Sequence, residues 1–322
     1  MRVAVLGMGS IGSRHARNIL GLHHEVIAFD PFASRKTAPE PVQWVDKEES
    51  AIGEADAVVI STPHSSHLTY MWECVERDKA FLVEKPIAST IEGLPELQAE
   101  IDRRGIVTQV GYNLRFHPAV KAAQRQIFSG ALGEILTSKI EYGSYLPRWR
   151  PGKSHKDNYA ASSEDGGIIL DDIHEIDIAC HLFGFPGSVM CSAVNTGHLE
   201  IACEEAATIV LTGQPGCHAT TITMDYLQMK PTRTIKVVGT DGVLFADLIA
   251  GSVVVRTSEE ESSSAIDKFD ANQMYVDEMR KFLRDVGMGS ADPDLDVAAG
   301  IETLKIALAA RESSVLRKEV IL

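Results

Sequence analysis

The 322-residue chain has room for one large or two medium domains, each with its own core, and two is the expected number. Its 44% hydrophobic and 24% charged content excludes disordered and collagen-like classes. A formal net charge of −14, with no compensating block of Lys or Arg, argues against a nucleic-acid partner, and no apolar run approaches the ~18 residues that would make a membrane a partner.

Up to about residue 115, short β-rich runs alternate with helical patterns: "VAVLG", "EVIAFD", "AVVIST", "AFLVE" and "VTQVGYN". That alternation predicts βαβ units and a parallel sheet covered on both faces. From Ile135 the texture becomes "ILTSKIEYGSY", "SVMCSAVNT", "EAATIVLT", "CHATTITMDY", "RTIKVVGT", "GVLFADL" and "GSVVVRT", with glycine-containing turns, which suits a mostly antiparallel sheet. One helix is expected from 166 to 184, "GGIILDDIHEIDIACHLFG", and two close the chain. The polar patch "SEEESSSA" at 258–265 reads as a solvated loop. The expected class is α/β: a parallel-sheet domain at 1–117, then an α+β domain at 118–322 with a large, mostly antiparallel sheet.

"VAVLGMGSIGSRHARNIL" carries Gly7, Gly9 and Gly12 in G-x-G-x-x-G spacing, directly after a strand and opening a helix that begins with Ser10 and Ile11. The first glycine permits the tight turn, the second lets backbone approach a pyrophosphate, and the third lets helix pack on strand. The helix N-terminus offers N–H groups to the phosphates. Asp30 ends the second strand 18 residues past Gly12, where an acid accepts the ribose hydroxyls and repels a 2′-phosphate. NAD is therefore favoured over NADP. Two alternatives stay open: Arg35 and Lys36 bind a phosphate if the loop folds back, or Asp30 only caps the turn before Pro31.

Ligands of such sheets sit outside the carboxyl ends of the strands. Glu84 and Lys85 stand at that end of "AFLVEKPIA" as candidate cofactor neighbours, and Lys85 is also a candidate for holding and polarising a substrate hydroxyl or carbonyl, against the alternative of a surface Glu–Lys pair. Thr62, Pro63 and His64 follow the third strand as candidate cofactor neighbours, while His67 reads as structural. Tyr112, Asn113 and Arg115 follow the fifth as candidate substrate groups, with Arg115 equally suited to tying domains together.

The glycine loop, "STPHSSH", "EKP", "GYNLRFHP" and a Gly-Gly-led helix bearing Asp and His, in this order, resemble the glucose–fructose oxidoreductase, inositol dehydrogenase and MocA family (Gfo/Idh/MocA) across about residues 1–184. The closing "DVAAGIETLKIALAARESS" is similar to the family's terminal helix. The resemblance implies NAD(P)-dependent hydride transfer at a hydroxyl or keto carbon of a sugar, cyclitol or nucleotide sugar. It also implies a dinucleotide-binding Rossmann domain at 1–117, an open α+β substrate-binding and oligomerisation domain at 118–322, and a homo-dimer or homo-tetramer formed through the C-terminal sheet, and it matches Lys85 to the family lysine. Many members carry an Asp four residues before the helix His; here Leu170 stands there and Asp171 lies three before His174. "YLPRWRPGKSHKDNYAAS" is similar to a branch associated with bacterial surface-polysaccharide and nonulosonic-acid loci.

Helical spacing puts Asp171, His174, Asp177, Ile178 and His181 on overlapping faces. His174 is the candidate general base, oriented by a carboxylate for which Asp171 is the candidate. A packed helix histidine is the alternative for His174, and an arginine partner the alternative to substrate for Asp177. No metal is expected. Trp149, Arg150 and Tyr159, with Lys153 and Lys156, make the loop 147–160 a candidate substrate clamp or, alternatively, an oligomer arm. Two other readings of the chain are an NAD-assisted elimination or glycosidase with retained cofactor, and a sensor without chemistry. The cysteines Cys74, Cys180, Cys191, Cys203 and Cys217 form no C-x-x-C pair and read as reduced and packed. A strand starting almost at Met1 leaves no room for a signal peptide, so a cytoplasmic protein is expected.

Overall fold

The computed structural model describes residues 1–32, 41–149, 152, 154–157, 161, 166–265 and 269–322. The chain falls into two compact units, Met1–Asn113 with Ala271–Ile301, and Leu114–Asp270 with Glu302–Leu322.

In the first unit β1 (Arg2–Leu6), α1 (Ser10–Gly21), β2 (Glu25–Phe29), β3 (Gln43–Trp44), α2 (Glu48–Glu54), β4 (Ala57–Ile60), α3 (His67–Glu76), β5 (Ala80–Val83), α4 (Leu94–Arg104) and β6 (Thr108–Val110) follow in order. The sheet is parallel in the order β3-β2-β1-β4-β5-β6. Its central strands are runs of small and β-branched residues because both faces are covered: Val3, Val5, Val58, Val59 and Leu82 are each 0% exposed. Order reverses beside β1, so the carboxyl ends of β1, β4 and β5 share the edge where the glycine loop, Thr62 and Lys85 emerge. The two-residue edge strand β3 was not foreseen.

The second unit begins with α5 (Pro118–Phe128) and β7 (Ile135–Gly143). The expected single helix is two: α6 (Ile168–Asp171) and α7 (His174–Phe183), separated at Asp172, whose ψ of 43° leaves the helical region. Then come β8 (Ser188–Val194), β9 (Ala206–Gln214), β10 (Cys217–Asp225), β11 (Thr232–Gly239), β12 (Gly242–Asp247), β13 (Ser252–Thr257) and β14 (Glu261–Ala265). Thus 261–265, expected as loop, is an exposed edge strand on β13. The nine-stranded sheet runs β14-β13-β12-β11-β7-β10-β9-β8-β15, antiparallel except for β7 with β10; β15 is Val320–Ile321.

Helix α8 (Asn272–Met288) belongs to the first unit, not to the C-terminal domain expected for 118–322. The reason is its apolar stripe: Met279, Phe282 and Leu283 complete the core formed by Val3, Val5, Ala16 and Ile19. Helix α9 (Val297–Leu316) follows. No described helix is long and apolar enough to cross a membrane. All five cysteines are free thiols and buried.

Candidate active site

The first unit holds a cradle at the β1–α1 turn. Gly7 has φ +86°, and a Cβ there would sit 2.7 Å from the Ser61 carbonyl oxygen. A Cβ on Gly12 would lie 1.8 Å from the Gly7 carbonyl oxygen, whereas one on Gly9 would meet no protein atom within 4 Å. Two of the glycines are therefore needed by the fold, and the second faces open space where a ligand's backbone contacts belong. Helix α1 has no side-chain cap, and Gly9 and Ser10 are exposed, which leaves its first N–H groups to an anion. Ile11 is half-buried in the same turn. These features fit a dinucleotide pyrophosphate.

Asp30 is held against this loop: Oδ2 accepts the Met8 N–H at 2.7 Å and Oδ1 the Phe32 N–H at 2.8 Å. It thus caps the turn and braces the glycine loop with one carboxylate. Arg35 and Lys36 lie outside the described residues. Ser61, which the sequence did not single out, donates its hydroxyl toward the carbonyls of Leu6 (3.0 Å) and Gly7 (2.9 Å), fixing the loop after β4 to the cradle.

Thr62, Pro63 and His64 follow Ser61; His64 is buried and Thr62 Oγ1 accepts from Ser66 at 2.8 Å. His67 spans two loops, with Nε2 2.9 Å from the Thr62 carbonyl oxygen and Nδ1 3.0 Å from that of Pro86. Burial pushes its pKa down to about 4. Lys85 is partly buried and joined to Pro86 by a cis peptide bond. Glu84, expected at the cofactor, is engaged by protein: Oε1 accepts from His15 Nε2 at 2.7 Å and Oε2 from the Lys85 N–H at 3.3 Å. His15, fully buried on α1, is a second residue that sequence reasoning passed over. Tyr112, after β6, is 1% exposed.

In the second unit, Arg115 and Asp177 are brought together rather than left to a ligand. Nε lies 2.9 Å from Oδ2 and 3.1 Å from Oδ1, and Nη2 2.6 Å from Oδ1, with the side chains 5% and 0% exposed. Asp177 thus has the arginine partner that was its alternative to substrate, and the pair ties α7 to the turn before α5. Burial raises the Asp177 pKa, and Arg115 opposes the rise.

Asp171 Oδ2 accepts from the Tyr226 hydroxyl at 3.0 Å, and burial pushes that hydroxyl's pKa well up. His174 opens α7 at 9% exposure, and the break at Asp172 means it does not share one continuous helix with Asp171. His181, placed by spacing on the same face, instead lies 2.9 Å from Gln124 Nε2 through its own Nε2. Trp149 stands edge-on to Tyr226 at 5.5 Å and donates from Nε1 to Ser144 Oγ at 2.7 Å. Lys156 pairs with Glu200. Arg150, Lys153 and Tyr159 lie outside the described residues.

Residues 1–112 match the oxidoreductase family, NAD-binding Rossmann fold, and residues 120–245 match the GFO/IDH/MocA C-terminal domain. The chain is 31% identical over 198 residues to scyllo-inositol 2-dehydrogenase (NAD(+)) of Bacillus subtilis (strain 168), a stretch covering 57% of this chain and 54% of that protein. With myo-inositol 2-dehydrogenase of Thermotoga maritima it shares 22% identity over 340 residues, 97% of this chain and 96% of the relative. It thus spans about half the length of the first relative and nearly all of the second. Levoglucosan dehydrogenase in complex with NADH and levoglucosan has the same fold, with a TM-score of 0.88 at 18% identity over 100% of this chain and 99% of that one. With both halves matched, the chain belongs to the GFO/IDH/MocA family of oxidoreductases and carries its NAD-binding Rossmann domain.

Proposed function

We propose that this protein oxidises a secondary hydroxyl of a sugar, cyclitol or related polyol, or reduces the corresponding ketone, with NAD as the redox partner. The observation that carries this reading is the shared edge of the parallel sheet, on which the open Gly9 turn, the Asp30 carboxylate and Lys85 emerge together. When bound, NAD supplies the hydride acceptor. Gly7, Gly9, Gly12 and the first N–H groups of α1, at Ser10 and Ile11, hold the pyrophosphate, and Asp30 faces the ribose. Thr62, Pro63 and His64 line the same edge.

Lys85 donates a hydrogen bond to the reacting oxygen and stabilises the charge that develops there. His174 takes the hydroxyl proton in oxidation and returns it in reduction. Asp171, anchored by Tyr226, orients the substrate or the imidazole, and Trp149 offers the sugar an aromatic face. Arg150 and Tyr159 remain proposed substrate contacts from sequence alone.

The nine-stranded sheet has an outer row, Phe245, Lys236, Lys139, Thr221, Val210 and Met190, in register across its strands. Phe245 and Met190 are 41% and 53% exposed, and this face supports a homo-dimer or homo-tetramer. Five buried cysteines outside any disulfide suit a cytoplasmic, reducing setting.

The test is a panel of inositols, sugars, uronic acids and nucleotide sugars, followed at 340 nm with NAD and with NADP. NADH formation from one polyol class supports the reading and names the substrate. Tightly retained NAD with no net NADH would instead favour internal redox, in which the hydride is returned; absence of NAD binding would refute the proposal.

A further inference from the structure

Strand β11 sends one side chain to the break between α6 and α7. Arg233 Nη2 donates to Asp172 Oδ1 at 2.5 Å, and Arg233 Nε lies 2.9 Å from Glu175 Oε1. Its register partner on β7, Tyr142, lays a ring 4.1 Å from the guanidinium carbon. Asp172 stands one residue past the end of α6, Glu175 lies in the first turn of α7, and His174 sits between them. The Arg233 side chain is 17% exposed, Asp172 7% and Glu175 0%. At the break the Glu175 N–H donates to the Asp172 carbonyl at 3.3 Å, and the Asp177 N–H to that of Ile173 at 3.0 Å.

We propose that Arg233 is a positioning residue for His174: hydrogen-bonded to Asp172 and lying against Glu175, it fixes the helix break from which the imidazole starts. This rests on His174 being the proton-transfer group. A guanidinium has the planar fork that such a two-carboxyl grip needs, and a lysine ammonium has not.

The grip also sets a charge state. Two buried carboxyl groups face one cation, so a second negative charge would be uncompensated. Burial, with Asp172 beside it, pushes the Glu175 pKa well above the usual carboxylate range, against the pull of Arg233. The other ionisable groups around the pair are Tyr142 and His117, which lie near Arg233; Asp171 and His174, on the adjoining turns; and Tyr226, which follows β10 and donates to Asp171. Tyr142 is bonded to Ser144 Oγ at 2.8 Å, the atom that also receives Trp149, so the clamp adjoins the start of the 147–160 loop.

The test uses the full-length protein with 15N-labelled histidine. The His174 resonances are assigned by their loss in His174→Gln and titrated in wild type, Arg233→Gln, Arg233→Lys, Asp172→Asn and Glu175→Gln. Turnover is followed on scyllo-inositol with NAD, or on the panel member used fastest. Arg233→Gln is expected to shift the His174 resonances and lower kcat by about 10- to 100-fold, the scale of a catalytic group displaced by about 1 Å, while the Kd for NAD stays within about 3-fold. Asp172→Asn, which alters the carboxylate that Arg233 donates to, should disturb His174 more than Glu175→Gln, which keeps the side chain's shape.

If Arg233→Gln fails to fold, Arg233→Lys and the Asp172/Glu175 comparison decide. An active His174→Gln enzyme would defeat the reading of His174 and leave Arg233 with nothing to position. An inactive His174→Gln alongside Arg233, Asp172 and Glu175 variants with wild-type resonances and kcat would overturn the clamp alone.

Discussion

Removing one partner of the Arg115–Asp177 pair should cost more than removing both. The two groups are buried and bound through three short contacts of 2.6 to 3.1 Å, yet burial still raises the Asp177 pKa. Desolvation opposes what Arg115 returns, and a buried pair of this kind is costly to break from one side only. The partners are also unequal. Asp177 left alone can take up a proton, whereas Arg115 left alone stays charged at any working pH. Asp177→Ala is expected to lose about 3–5 kcal/mol, and Arg115→Met less, by an amount that shrinks as pH is lowered and Asp177 protonates. Arg115→Met/Asp177→Leu together should lie within about 1 kcal/mol of wild type.

The assay is urea unfolding of each variant in a Trp44→Phe/Trp72→Phe background, so that Trp149 reports on the second unit alone. Midpoints and slopes together give the coupling energy of the cycle. Single variants that each cost under about 1 kcal/mol and sum to the double would refute the reasoning, because the buried charge would then carry no penalty.

His117 caps α5 by accepting the Ala119 N–H at Nδ1 (3.0 Å), a role open only to the neutral ring, and burial pushes its pKa from 6.5 to about 4. Between those values the unfolded chain binds a proton that the fold does not. Its contribution, about 3 kcal/mol, is whole above pH ~6.5 and lost as pH falls toward 4, and His117→Asn should flatten this part of the stability profile in urea titrations. A Cβ at Gly9 meets nothing, so Gly9→Ala should change stability by at most about 1 kcal/mol while weakening NAD binding; Gly12→Ala, with its 1.8 Å clash, should lower both. Calorimetry with NAD and thermal melts separate the two. His15→Ala removes the hydrogen-bond partner of Glu84 and should reduce kcat by about 10-fold or more with a smaller change in NAD affinity.

What could be read from the sequence followed what is local. The central strands of the first unit announce themselves because sheets covered on both faces need unbroken apolar runs, and the glycine spacing is forced where a Cβ on Gly12 would lie 1.8 Å from the Gly7 carbonyl oxygen. The helix break at Asp172 was hidden, since Ile169, Ile173 and Ile176 keep helical spacing across it. Its visible partner, Arg233, lies 61 residues away. Polar β14 has no alternation to read and is a strand only because β13 offers it an edge. Helix α8 showed its apolar stripe without showing which core would take it. His15 looked like any helix histidine until Glu84, 69 residues on, came to its ring. Long-range polar pairing leaves no periodic trace, and the supporting residues of the site are of that kind.

The measurement that bears most directly on the account is single-turnover reduction of bound NAD by the identified polyol, in wild type, Lys85→Met and His174→Gln, with NAD affinity measured on the same samples. The account predicts that both variants bind NAD within about 3-fold of wild type and transfer hydride more slowly by at least about 100-fold. Transfer at the wild-type rate in Lys85→Met would contradict it.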